Sequence, residues 1–289
     1  MNTRQEIEDL YDRNLFVGAY QRSKGYWQPS TNLESLSLEE LILGGRLATR
    51  LGGLRLSRRL LALAHTKNPA DPLVRYFTVG VRRRGWDVFD ELRAFEADPD
   101  LGGDDRELEG AWYAHFALVW AQFQDMARSD DCLNHAHELS PRDAWILSCE
   151  SGVHGYAHRW EAALRAAEQA WEISLGATFA ASCLANSLIH LGRTEESAQR
   201  LATAAESGQS YEVALYACFY LCTLAETLDE GKRHPILDRA GAIAERLSTL
   251  APLADREALS HVPGRLGDRL HGPAWPTTIG CPPHTPSCQ

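Results

Sequence analysis

Residues 159–164 read Arg159-Trp160-Glu161-Ala162-Ala163-Leu164, and a second small residue, Ala170, follows Ala163 by seven positions. The arrangement recurs on both sides. Ser129, Ala163 and Ser197 are each 34 residues apart, and so are Ala136, Ala170 and Ala204. All six fall in the second half of a helix-turn-helix pattern. A fixed period of this length, with small residues at fixed phase, marks a stack of helical hairpins in which each unit packs on its neighbours. The expected fold class is therefore all-α, a solenoid of about six helical hairpins.

Residue size agrees with the period. Two antiparallel helices need small residues where their axes approach and large ones between successive hairpins. In 144–174 the small set is Ser151, Ala163 and Ala170, and the large set is Leu147, Trp160, Leu164 and Ile173. In 177–207 Ala185, Ser197 and Ala204 are small, while Leu184, Leu188, Leu191 and Leu201 are large. In 108–141 Ala117, Ser129 and Ala136 are small, while Phe116, Trp120 and Leu133 are large. Gly192 stands where a helix end wants left-handed backbone.

Outward from these three units the pattern loosens. Residues 4–23 form one amphipathic segment carrying Ile7, Leu10, Tyr11, Leu15 and Phe16, and Gly25–Ser35 reads as a loop. Ser37 with Glu40 is a capping box, which predicts a helix over 38–51, ended by Gly52-Gly53. Leu54–His65 is the second arm, with Gly45, Ser57 and Ala64 at the small positions. The unit 71–98 is degenerate, keeping Trp86, Leu92 and Ala94, and the loop Asp98–Asp105 with Gly102-Gly103 is the expected hinge. A sixth pair, 211–228 and 234–249, is expected to turn through 229–233, and a helix to resume over 254–262. The tail 271–289, with five prolines, is expected to be poorly ordered. The chain thus divides into an N-terminal helix and loop (1–36), the repeat array (37–262) and a Pro-rich tail (263–289). The array is expected to stop without a polar capping helix, as a piece of a longer protein would.

The runs Arg159–Leu164, Leu191-Gly192-Arg193-Thr194-Glu195-Glu196-Ser197-Ala198 and Ala136-His137-Glu138-Leu139-Ser140-Pro141 resemble tetratricopeptide repeats. The resemblance covers about 38–250 and is strict over 108–207. It implies a right-handed superhelical solenoid whose first helices line a concave groove for peptides or partner proteins. A second resemblance rests on Asn14-Leu15-Phe16-Val17-Gly18-Ala19-Tyr20 and the Trp-containing repeats. These are similar to tetratricopeptide regions of large bacterial proteins with a papain-like, double-glycine-type cysteine peptidase domain downstream. That likeness implies an alternative function, the recognition or regulatory part of such a peptidase, with the catalytic domain absent from this chain. Cys281 and His284 lie in the Pro-rich tail, which is not expected to offer a fold that could orient them for catalysis.

Composition removes other classes. A formal net charge of −10 argues against a nucleic-acid surface, which needs a local cationic excess. Arg82-Arg83-Arg84 reads as a solvated helix end. The polar start has no apolar signal core, and no apolar stretch is long enough to span a membrane. Seven scattered cysteines do not make a disulfide framework and point to a reducing, cytoplasmic setting. His154 and His158 lie four apart beside Cys149 and Glu150, but without the Glu of a metalloprotease motif and with His158 at a turn. Cys132, His135 and His137 are close, but the two histidines point to different helix faces. Cys218 and Cys222 read as core residues, with redox sensing the minor alternative, and Cys281 and Cys288 as solvated thiols. No catalytic residue, metal site or cofactor is assigned.

The concave stripe of the regular units is expected to present Trp145, Tyr156, Phe179, Asn186 and His190, with Ala114 and Leu118 upstream. Rings beside an amide and an imidazole suit an extended peptide. The competing assignment for each ring is packing between hairpins. The lysines and arginine of the family's carboxylate clamp are not found in this stripe. The leading expectation is a non-catalytic scaffold for a protein or peptide segment, with self-association through the C-terminal repeat as a further possibility.

Overall fold

The computed structural model describes residues 3–23, 27, 32–82, 88–174 and 177–253. Among these residues there is no strand, and twelve of the fourteen α-helices pair into six hairpins. The first is α1 (Thr3–Asp12) with α2 (Phe16–Arg22), and the second α3 (Leu38–Arg50) with α4 (Leu54–Lys67). α5 (Pro72–Arg82) follows and packs on α4, α6 (Val88–Ala97) packs on α7, and the next hairpin is α7 (Arg106–Gln122) with α8 (Met126–Leu139). Then come α9 (Ala144–Tyr156) with α10 (Trp160–Ile173), α11 (Thr178–His190) with α12 (Thr194–Ser207), and α13 (Tyr211–Glu226) with α14 (Glu230–Leu250). First helices also pack on first helices, α7 on α9, α9 on α11 and α11 on α13, so the array is a helical solenoid.

Local chemistry sets the helix starts. Ser37 Oγ accepts from the Glu40 amide at 3.2 Å while Glu40 Oε2 accepts from the Ser37 amide at 2.7 Å, completing the capping box. Asp105, Asp125 and Asp143 cap α7, α8 and α9 through their carboxylates, each contributing about 1 kcal/mol. The helix ends share one device. Asn14, Gly52, Gln124, His158 and Gly192 all have left-handed backbone, with φ of 57°, 80°, 62°, 57° and 75°. The amide after each reaches back five residues: Leu15 to Leu10, Gly53 to Ala48, Asp125 to Trp120, Arg159 to His154 and Arg193 to Leu188, at 2.8–3.1 Å. This is the Schellman closure, and 124, 158 and 192 keep the 34-residue phase.

Small residues seat the arms together. Ser129 Oγ donates to the Ala117 carbonyl at 2.8 Å, and Ser197 Oγ to the Ala185 carbonyl at 3.4 Å. Ser57 lies in the same position of the second hairpin, bonded to Thr49 Oγ1 at 2.8 Å. A Cβ on Gly45 would stand 2.6 Å from Leu61 Cγ, so this crossing admits no side chain at all.

Several expectations are corrected. Residues 4–23 are not one helix: Asn14 turns the chain, and α1 and α2 fold back as a hairpin against α3. The Asp98–Asp105 loop is not a free hinge. Arg75 donates to the carbonyls of Asp98, Asp100 and Leu101, Trp112 Nε1 donates to Pro99 at 3.0 Å, and Leu101 is buried. The last turn is short, because α14 begins at Glu230 and runs through Pro235, with Arg233 bonded back to the carbonyls of Ala225 and Leu228. The expected helix over 254–262, the tail 271–289, Arg83, Arg84 and Trp86 lie outside the described residues.

The solenoid also meets itself. The Leu253 amide donates to the Leu51 carbonyl at 3.2 Å, Leu253 packs with the core of the first two hairpins, and Val17 of α2 packs against the core of α12–α14. Arg50 of α3 reaches Glu212 of α13 at 3.4 Å. The first and last described hairpins therefore form a seam, and the first helices curve around a central chamber.

Candidate functional site

The chamber has a volume of about 650 Å³ and takes side chains from α3, α5, α7, α9, α11 and α13, with Tyr11 and Arg58 added from α1 and α4. That volume lies in the range of ligand-binding cavities. Its aromatic lining is Tyr11, Tyr76, Phe77, Trp145, Phe179 and Tyr216.

Trp145 is placed by the turn before it. Asp143 caps α9 through the amides of Trp145 and Ile146, at 2.8 and 2.9 Å. The indole Nε1 donates to the Ala111 carbonyl at 3.3 Å, 34 residues upstream, and the ring packs on Phe179 with centroids 5.0 Å apart. The two rings are part-buried against the core and line the chamber with their remaining surface.

Charge enters from the second hairpin. Arg46 of α3 lies over the Tyr11 ring at 4.5 Å and the Phe77 ring at 4.8 Å. Its Nε is enclosed and has no hydrogen-bond partner. Arg50 lies over Phe16 at 5.8 Å and pairs with Glu212. Burial works to lower the Arg50 pKa, but Tyr11 and Glu212 outweigh it and hold the guanidinium above its ordinary range. Burial drives the Tyr76 phenol well above its ordinary value, so it stays neutral. With Arg58 the lining holds three arginines against one glutamate, a cationic chamber inside an acidic chain.

These arginines stand on α3 and α4, outside the regular units whose period defines the expected stripe. A signal existed. In α3 the buried positions are 41–45, 47 and 48, which leaves Arg46, Thr49 and Arg50 as an i, i+3, i+4 stripe on the first helix of a hairpin.

Of the residues expected in the groove, Trp145 and Phe179 meet at the chamber, and Leu118 lines it as well. Ala114 is fully buried. Tyr156 is on the same face of α9 as Trp145 but eleven positions on, about 16 Å along the axis, and is 39% exposed. His190 stacks on Trp160 of α10 with centroids 3.7 Å apart and rings 3° from parallel. Asn186 is exposed one turn before it. Tyr156, Asn186 and His190 do not line the chamber.

The histidine cluster resolves into side-chain contacts with one carboxylate. Glu150 lies between His137 (3.1 Å) and His154 (3.5 Å), and their hydrogen bonds pull its carboxyl down to about 2. His135 packs on Tyr113, and His158 sits in a turn beside Trp160. Among the described residues no three His, Cys, Asp or Glu side chains converge as a metal site. Burial raises the thiols of Cys183 and Cys218 to about 12 and that of Cys132 to about 11, so they stay protonated and unreactive. Cys281, His284 and Cys288 lie outside the described residues. No helix among the described residues is long and apolar enough to cross a membrane.

No family model and no curated protein matches the chain. Solved structures similar to it include a tetratricopeptide repeat protein from Parabacteroides merdae, 10% identical over 93% of this chain and 96% of that one, with a TM-score of 0.48. PilF of Pseudomonas aeruginosa is 13% identical over 82% of this chain and 93% of its own, with a TM-score of 0.34.

Proposed function

We propose that this protein is a non-catalytic scaffold that holds a protein or peptide segment on the concave face of its hairpin array. The observation that carries the reading is the Trp145–Phe179 pair. Both rings are fixed by the fold, through the Asp143 cap, the bond to Ala111 and their mutual contact, yet both line an open chamber. Rigid aromatic anchors of this kind give apolar contact at little cost in conformational entropy, the property of binding hot spots.

The test is selection from a random peptide-display library on the wild-type chain. Selected peptides should lose at least tenfold in affinity on Trp145→Ala with Phe179→Ala, while Phe89→Ala, an exposed ring that does not line the chamber, leaves them unchanged. Circular dichroism and thermal melts confirm that the variants fold. Equal binding to the double variant would overturn the reading.

A further inference from the structure

We propose that a second cavity, on the seam between the first hairpin and α12, is a binding site for a small aromatic monoanion, held by Trp171 and Arg13. This cavity is separate from the chamber, and the site does not rest on the concave-face reading.

The seam cavity measures about 650 Å³, within the range of small-molecule sites. One wall is the α1–α2 turn from Arg13 to Phe16. The other is Trp171 of α10, the C-terminal half of α12 and the turn 208–210. Both walls are fixed. The first is closed by the left-handed Asn14 and by the Leu15 amide, which donates to the Leu10 carbonyl at 2.8 Å. The second is held by Arg246, whose Nη2 donates to the Gly208 carbonyl at 3.0 Å, while the Gly208 amide donates to Ala204 at 2.8 Å.

Trp171 packs against three neighbouring patches of core and still lines the cavity. Phe16, buried and in edge contact with Tyr11 at 5.2 Å, lines it from the opposite wall. Two fixed aromatic side chains facing one space favour a planar ring, which gains stacking or edge contact beyond its buried area. The charge is equally one-sided. Two arginines and no carboxylate line the cavity. Arg200 is already matched by Glu168 at 3.1 Å and Glu196 at 3.5 Å. Arg13 is exposed and makes no ion pair among the described residues, so its N–H donors are in water and open to a ligand. One unmatched guanidinium suits one anionic group, which it can meet through two parallel hydrogen bonds. The walls come from distant parts of the chain, so the ligand binds with the seam shut and stabilises that closed form.

Calorimetry with four probes tests the site. 2-Naphthoate and 2-naphthalenesulfonate carry ring and charge and differ in the acid. 2-Naphthamide keeps the ring without the charge, and acetate the charge without the ring. One of the first two should bind about tenfold or more tighter than either control, less so as salt is raised, and should raise the melting temperature. The tighter of the two identifies the acid. Arg13→Gln should abolish the advantage over the amide, and Trp171→Ala should weaken the anion about tenfold. If Trp171→Ala fails to fold, Ser207→Phe decides: at an exposed position of the lining it fills the cavity and should block binding. Arg128→Gln, which does not line the cavity, should leave binding intact. Equal affinity for charged and neutral rings, or no binding by any probe, overturns the site. So does binding that survives Arg13→Gln but is lost in Trp145→Ala with Phe179→Ala, which would put the probe in the chamber instead.

Discussion

The amide of Arg159 donates to the carbonyl of His154 at 2.8 Å, closing the α9–α10 turn over His158, whose φ is 57°. An imidazole-bearing residue thus occupies the place that Gly192 and Gly52 fill in sister hairpins. Left-handed backbone costs a residue with a Cβ roughly 1 kcal/mol that glycine avoids. His158→Gly should therefore stabilise the protein by about 0.5–1 kcal/mol, since the lost edge contact with Trp160 is the smaller effect. Gly192→Ala should destabilise by about 1 kcal/mol. Urea denaturation followed by circular dichroism reads both.

Two glycine-to-alanine changes should have opposite signs. Gly241 lies inside α14 with nothing near its added Cβ, so Gly241→Ala should gain about 0.5–1 kcal/mol from helix propensity alone. Gly45→Ala makes the same propensity gain but drives a methyl into Leu61, and overpacking costs about 1–3 kcal/mol. Packing wins, and a lowered melting temperature is the expected readout. A stabilised Gly45→Ala would show that α3 and α4 are not in close contact there.

The Glu150 pair makes part of the stability depend on pH. A folded pKa of about 2 lies below the usual unfolded value of about 4.3, so the folded state releases this proton more readily. The contribution is complete above about pH 5 and is lost as pH falls toward 2. With the side chain 25% exposed and partly screened, Glu150→Gln should cost about 1 kcal/mol near pH 6, and the difference from wild type should close with acidification. A difference that does not vary between pH 6 and 3 would place the effect elsewhere.

Arg50 and Glu212 join hairpins 162 residues apart in sequence. A double-mutant cycle to alanine should give a coupling of about 0.5–1 kcal/mol, larger in low salt. Additive losses would mean that this seam contact contributes nothing measurable.

The hairpins were legible because the 34-residue period and the small residues carry the same message twice. Ser129 and Ser197 do double duty, being small enough for the crossing and bonded to the facing backbone. The turns were only half legible. Gly192 announces itself, whereas Gln124 and His158 reveal a left-handed role only through their phase with it. The Asp98–Asp105 loop read as a hinge because glycines are visible in sequence and the reach of Arg75 is not. For the site, helical periodicity fixed the face of α9 and α11 but not the height along each axis. It therefore ranked Tyr156 and His190 with Trp145 and Phe179, although only the latter two line the chamber. The cations of α3 depend on the array curving back on itself, a long-range property that no single repeat encodes.

The contact between Leu253 and Leu51 makes the hairpin count part of the design. An open stack can be lengthened by duplicating a unit, and its outermost member has one neighbour and frays first. Here both flanks have company on two sides. Splicing in one more copy would enlarge the circumference and prise Arg50 from Glu212, so this architecture can drift in residue identity far more easily than it can grow.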